Sequence, residues 1–305
     1  MRVCFSEGYA APLPEGHRFP MGKFVALHRI LLDEGLIRVQ DVVTPSETSW
    51  DDLALVHTVR YLDSLRLGTM DRLAERRMGL PRTDAIVRRS RLATQGTFEA
   101  GRMALQDGVA ANLAGGMHHG FPDHGEGFCV LNDVAVAIRM LQRDGDVARV
   151  LVVDLDVHQG DGTAEIFQGD DRVFTVSVHG QDNFPFRKKS SDLDIGLAKG
   201  AGDEEFLSAV DQAIEQVSGE SFDLLFFQAG VDALEMDALG LLKVSREGMR
   251  ARNERVFAWR RELGVPMLLF MGGGYSNPID YTVDAFADLF FGAAREYREA
   301  WSNKG

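Results

Sequence analysis

Short apolar runs alternate along this chain with stretches of helical periodicity. RVCFS (2–6) reads as a first strand. GKFVALHRILLDEG (22–35) repeats apolar residues at Phe24, Leu27, Ile30 and Leu31, with Gly35 as a stop, and predicts a helix. Helices are also predicted at 55–65 and 91–108, followed by a strand running into glycines, VAANLAGG (109–116). Asn132 is placed to cap a helix over 132–145. Beyond it the pattern predicts strands at 149–158, 172–180, 223–230 and 265–274, with helices at 203–217, 245–263 and roughly 279–298. The strands are almost continuously apolar, as expected when both faces of a sheet are covered. The alternation therefore predicts an α/β fold with a mostly parallel sheet between helices. No repeat, low-complexity tract or Pro/Gly/Ser linker divides the chain, and one domain over 1–305 is expected. RKKSSD (187–192) has no periodicity and reads as a surface loop.

Composition narrows the function classes. Acidic residues outnumber basic ones, 46 to 33, for a net charge of −13. That balance argues against phosphate-backbone binding, so no nucleic-acid partner is expected. Two cysteines, Cys4 and Cys129, exclude a disulfide scaffold and a four-cysteine zinc module. Cys129 has no activating base beside it in sequence and is not assigned as a nucleophile. The first residues show no signal-peptide core and no run is apolar enough to span a membrane. A cytoplasmic setting is the default expectation.

In doubly wound folds, ligands sit beyond the carboxyl ends of the strands. Four predicted strands end in polar or glycine clusters: GGMHHGFPDHGEGFC, DLDVHQGDG, QAGVD and MGGGY. Asp154, Asp156 and His158 alternate, and in extended chain alternate residues share a side. Asp156, His158 and Asp232 offer two carboxylates and one imidazole, a donor set for zinc or ferrous iron with a coordination position left open. The plain alternative is that these acids cap the helix beginning near Gly162. Histidine ordinarily titrates near neutrality, so His118 and His119 suit proton transfer, with Asp154 and Asp161 as candidate carboxylate partners. Tyr275, after three glycines, can donate to an oxyanion. Phe128 and Phe184 are loop aromatics expected at the same edge, whereas His17, His28, His57, His124 and His179 take ordinary packed or surface readings. GDGTAE misses a dinucleotide loop by placing Glu165 where the third glycine belongs, and no Rossmann cofactor is expected.

Taken together, GGMHHG, GFCVLNDVAVAI, VDLDVHQGDGT, FTVSVH, QAGVDALEMDALG and GGGY resemble the zinc-dependent histone deacetylase superfamily, in the family's order over about residues 105–280. HRFPMGK, the short length and Gln159 in place of a second histidine look like its class IV branch. The resemblance implies a three-layer α/β/α, arginase/deacetylase-like fold with about eight strands. It implies Zn²⁺, or Fe²⁺, on Asp156, His158 and Asp232, with His119 as base and acid, His118 beside it, Asp154 and Asp161 as their partners, and Tyr275 polarising the carbonyl. It implies an acyl-lysine channel walled by Gly127, Phe128 and Phe184, with Phe184 facing Phe128. It also implies a structural K⁺ on Asp154, Asp156, His158, Ser177 and Val178, and a second near Phe167, Asp170 and Val173. The implied activity removes acetyl or longer acyl groups from lysine of a protein or peptide; a small N-acyl amine such as an acetylpolyamine is the alternative substrate. A two-metal ureohydrolase would need more ligand motifs than the one D-x-D-x-H present, and a non-catalytic acyl-lysine binder would not need the His/Asp/Tyr set. One departure is FRKKSS after Phe184-Pro185, where class I relatives carry a glycine-rich rim loop; their acidic rim residue has no counterpart here.

Overall fold

The computed structural model describes residues 1–302. Eight strands form one sheet: β1 (Val3–Cys4), β2 (Val42–Val43), β3 (Val109–Asn112), β4 (Val150–Asp154), β5 (Val173–Gly180), β6 (Leu193–Leu197), β7 (Leu224–Gln228) and β8 (Met267–Phe270). Their order is β2-β1-β3-β8-β7-β4-β5-β6. Every pairing is parallel, so the expected mostly parallel sheet is wholly parallel among the described residues. The central strands are apolar for the reason their composition implies. Leu224, Leu225, Phe226 and Phe227 are all 0% exposed, because helices cover both faces. Each such side chain contributes roughly 1.5–3 kcal/mol of burial free energy.

The described α-helices are α1 (Gly22–Asp33), α2 (Trp50–Leu53), α3 (Val59–Leu67), α4 (Arg72–Met78), α5 (Asp84–Asp107), α6 (Asp133–Arg143), α7 (Asp161–Phe167), α8 (Asp203–Val217), α9 (Arg246–Leu263) and α10 (Asp280–Ser302). α5 packs on α6, while α10 packs on both α1 and α9. α6 starts where predicted: the Asn132 side chain accepts from the Ala135 N–H at 2.9 Å. α5 begins seven residues before its predicted start at Arg91, capped by Thr83, because its first turns are arginine-rich and hide the apolar stripe. The 55–65 prediction corresponds to a helix over Val59–Leu67, capped by Thr58.

Two short helices (Trp50–Leu53 and Arg72–Met78) and the edge strands β2 and β6 went unpredicted. β6 is half exposed with alternating burial, unlike the buried runs that mark the inner strands. Residues 187–192 are loop, as expected. None of the described helices is long and apolar enough to cross a membrane.

β3, β8, β7 and β4 are consecutive in the sheet, and their ends are level: Asn112 pairs with Phe270, Phe270 with Gln228, and Gln228 with Asp154. The four polar clusters leave the sheet side by side.

Candidate functional site

One expectation fails at the strand ends. β4 stops at Asp154, so alternation in extended chain is not what gathers Asp154, Asp156 and His158. The carboxylates themselves capture the backbone N–H groups that a longer ladder would use. Asp156 N–H donates to Asp154 Oδ1 at 3.1 Å, His158 N–H to Asp156 Oδ1 at 3.0 Å, and Val157 N–H to Asp232 Oδ1 at 2.8 Å. The chain turns, and side chains from two loops converge.

Asp156 Oδ1 and Asp232 Oδ2 lie 3.1 and 3.0 Å from His158 Nδ1. All three residues are buried, and a donor atom from each falls within 4.8 Å of the others. Asp156 Oδ2 is taken by the Gly273 N–H at 2.6 Å while its Oδ1, which also accepts the His158 N–H, faces the His158 ring; Asp232 turns Oδ1 to the Val157 N–H and Oδ2 to His158. Metal bonds of about 2.0–2.1 Å in a tetrahedron hold ligand atoms about 3.3 Å apart, close to these separations.

Charge points the same way. At Asp156 burial opposes ionisation, but the His118 charge and the His158 hydrogen bond outweigh it and hold the carboxyl below the usual range. At Asp232 burial and the charge of Asp156 win, raising it to about 7. Burial would lower His158, yet Asp232 and the hydrogen bonds to both carboxylates raise it to about 10. Two buried carboxylates thus demand positive charge, and a protonated imidazole answers only one; a divalent cation with neutral His158 answers both. The residues fit a metal. Gly273 is required for that packing, since a Cβ there would stand 1.7 Å from Asp232 Oδ2.

The paired histidines each find the expected carboxylate. His118 Nδ1 is 2.7 Å from Asp154 Oδ2, and His119 Nδ1 is 2.6 Å from Asp161 Oδ1. Burial would lower His118, but the charges of Asp154 and Asp156 push it up to about 9. Burial and the adjacent His118 charge push His119 down to about 4, despite Asp161. The two rings stand 4.1 Å apart, the carboxylates favouring the cationic form of His118 and burial favouring the neutral form of His119. Asp161, the first residue of α7, also accepts from the Gly162 N–H, whereas Gly160 stands at the helix N-cap with no capping side chain, so the capping alternative for Asp154, Asp156 and Asp232 is not what the structure shows.

Phe184 stands edge-on to His119 with centroids 4.9 Å apart, while Phe128 lies 5.9 Å from Tyr275. The two phenylalanines do not stack on each other among the described residues; they sit on separate walls, and Gly127 lies against both His119 and Phe184. Gly127 and Phe128 both have positive φ, 55° and 66°. For phenylalanine this strain is of order 1–3 kcal/mol. It is held by the Phe128 N–H bond to the Met78 carbonyl at 2.9 Å. The Tyr275 phenol is raised well above its ordinary value by burial and by Asp232 and Asp156, so it stays a donor. Among the described residues no hydrogen bond reaches its hydroxyl.

Ser177 pairs with Asp154 across β4 and β5, which brings Ser177 and Val178 beside residues 154–158, all buried. Phe167, Asp170 and Val173 share one turn, tied by Asp170 N–H to the Phe167 carbonyl and Val173 N–H to the Asp170 carbonyl.

Several supporting residues escaped the sequence reading. Lys23, 2% exposed, sends its ammonium to the Gly272 carbonyl at 2.9 Å and sits 5.1 Å above the Tyr275 ring. Burial lowers it to about 8. Asp237 accepts the Tyr275 N–H at 2.7 Å. Asp133 accepts the Gly116 and Met117 N–H groups and holds the loop before His118. Arg252, fully buried, binds the Gly230 carbonyl at 2.6 Å just before Asp232. The HRFPMGK segment places His17 and Phe19 edge-on to Phe128. The four charged residues meet backbone, and the two rings meet Phe128, far away in sequence, which periodicity does not register. His57 is structural: its ring joins the Phe121 carbonyl to the Asn132 N–H. His28 stacks on Phe5, and His179 is buried against Ser177. His124 stacks on Phe121 beside Asp123. Cys129 is buried and its thiol raised, as expected of an inert cysteine.

Lys23→Met should lower kcat about tenfold, because the turn carrying Tyr275 loses its anchor while the first contacts to substrate remain. A kcat within twofold of wild type would show that Lys23 does not position Tyr275.

Comparison with known proteins joins this geometry to a family. Residues 17–288 match the Histone deacetylase domain family. An uncharacterized protein of Picosynechococcus sp. is 43% identical over 280 residues, covering 91% of this chain and 93% of its own length. Histone deacetylase 2 of Arabidopsis thaliana is 32% identical, over 85% of this chain and 70% of its length. Human histone deacetylase 1 is 29% identical, and the match spans 86% of this chain but only 58% of that protein. Among solved structures, an HDAC homologue in complex with SAHA superposes with a TM-score of 0.82 at 25% identity, covering 99% of this chain and 88% of that one. An HDAC homologue from Aquifex aeolicus gives 0.82 at 26% identity, covering 96% and 83% of the two chains. The chain belongs to the histone deacetylase family and has its α/β fold.

Proposed function

We propose that this amidohydrolase removes an acyl group, acetyl or longer, from the ε-amine of lysine at a site built on one divalent cation, Zn²⁺ or Fe²⁺. The observation that carries the reading is the convergence of Asp156, His158 and Asp232 beside a neutral His119 held by Asp161. A cation on those three ligands would polarise the scissile carbonyl and acidify the attacking water.

The chain's own groups supply the rest. His119, with Nδ1 engaged by Asp161, presents Nε2 to take a proton from the water as its oxygen bonds to the carbonyl carbon. Tyr275 donates its hydroxyl hydrogen to the developing oxyanion. The C–N bond then breaks, His119 returns the proton to the leaving nitrogen, and the products are a carboxylate and free lysine. His118, cationic against Asp154, keeps its neighbour His119 neutral. Gly127, Phe128 and Phe184 suit the methylene stem of a lysine whose charge is masked by acylation. A structural K⁺ on the oxygens of Asp154, Asp156, His158, Ser177 and Val178 would brace the loop that holds the ligands.

Acyl-lysine peptides from acetyl to myristoyl, run beside acetylated polyamines, test the reading. Release of carboxylate from the peptides is expected. Turnover confined to polyamines would move the substrate to a small N-acyl amine, and turnover of neither would overturn the proposal.

A further inference from the structure

Beside the site, a cavity of about 890 Å³ opens between the loop that carries Phe184 to Lys189 and the loop at Phe121–Glu126. Its floor touches Asp161 and Phe184, so it adjoins the channel mouth. The 184–189 loop is built, not loose. Gln159 bonds it through both ends of its amide: Nε2 donates to the Lys189 carbonyl at 2.7 Å and Oε1 accepts the Lys189 N–H at 2.8 Å. Lys188 folds back onto the carbonyls of Asn183 and Pro185, at 2.6 and 2.8 Å.

Charge around the cavity is mostly answered internally. Arg77 pairs with Glu126 at 3.0 Å and Lys189 with Glu165 at 2.8 Å. Asp161 is engaged by His119, and Asp123 by His124. Lys188 faces Asp161, Asp182 and Asp194. Arg187 is exposed on the cavity wall and has no carboxylate partner among the described residues. Next to it Phe186 is 87% exposed and stands edge-on to Phe184, with centroids 6.2 Å apart.

We propose that Arg187, with Phe186 as an apolar shelf, makes this rim select acyl-lysines that carry a carboxylate close to the modified residue. The inference rests on the lysine-deacylase reading and names its substrate class more narrowly. The carboxylate can come from an acidic side chain of a peptide or from the α-carboxylate of a free N-acyl-lysine; both present the same anion to the same guanidinium. An exposed pair of this kind adds about fivefold at low salt and fades as ionic strength rises.

The test compares acetyl-lysine peptides with Asp, Asn or Lys one residue before or after the modified lysine. Free Nε-acetyl-lysine is run beside its amide. Both kcat/KM and direct peptide binding by fluorescence anisotropy are read, with wild type, Arg187→Gln and Arg187→Glu. Wild type is expected to favour Asp over Asn, or free acid over amide, about fivefold, through KM and not kcat. Arg187→Gln should erase that ratio and Arg187→Glu reverse it toward Lys. Equal use of Asp and Asn peptides and of acid and amide, or a preference that survives Arg187→Gln, overturns this inference while leaving the deacylase reading intact. An acidic preference in binding without turnover of any peptide would instead sink the deacylase reading alone.

Discussion

Tyr275→Phe is expected to lower kcat by about 10²–10³ while leaving substrate affinity close to wild type. The ring keeps its place, because its neighbours Phe128, Phe19 and the Lys23 ammonium all contact the aromatic face or edge. Its backbone stays tied to Asp237. Only the hydroxyl is lost, and no other described residue bonds to it. The loss is therefore confined to the state in which the carbonyl oxygen gains charge. Steady-state kinetics with direct binding of an uncleaved substrate separates the two terms. An unchanged kcat would remove Tyr275 from the reaction.

His119→Gln is expected to lose about 10²–10⁴ in kcat/KM, the range for a positioned general base. Glutamine can still reach Asp161, so the buried carboxylate keeps a partner and folding is preserved. The pH profile carries a sharper expectation. His119 must be neutral to accept a proton, so activity falls as pH drops through its value near 4. His118 loses its charge only above about 9, where His119 is neutral in any case, so this pair produces no alkaline limb. A cation on the neighbouring ligands adds positive charge and moves this acid limb to lower pH. In His119→Gln the acid limb should vanish with the rate. A variant that keeps both rate and acid limb would place the base elsewhere.

Much of the architecture was readable because inner parallel strands are apolar on both faces and their ends are marked by polar clusters. The three candidate ligands and both histidine–aspartate pairs lay inside those clusters, and six motifs in order were enough for the family resemblance. What stayed hidden has a physical pattern. β6 is a half-exposed edge with no apolar run, and the start of α5 is masked by arginines. The route by which Asp156 and His158 meet was misread because carboxylates compete with the sheet for backbone N–H groups. Lys23, Asp133, Asp237 and Arg252 hold the loops of the candidate site through bonds to distant backbone, which no local spacing records.

The central claim is that a single divalent ion is gripped by Asp156, His158 and Asp232 and that hydrolysis depends on it. The most direct measurement is metal content by mass spectrometry together with amide hydrolysis, on wild type, on chelator-stripped protein and on Asp232→Asn. The account predicts close to one ion per active chain. It also predicts loss of turnover on stripping, recovery with Zn²⁺ or Fe²⁺, and neither ion nor activity in Asp232→Asn. Full hydrolysis by protein verified free of metal would contradict it.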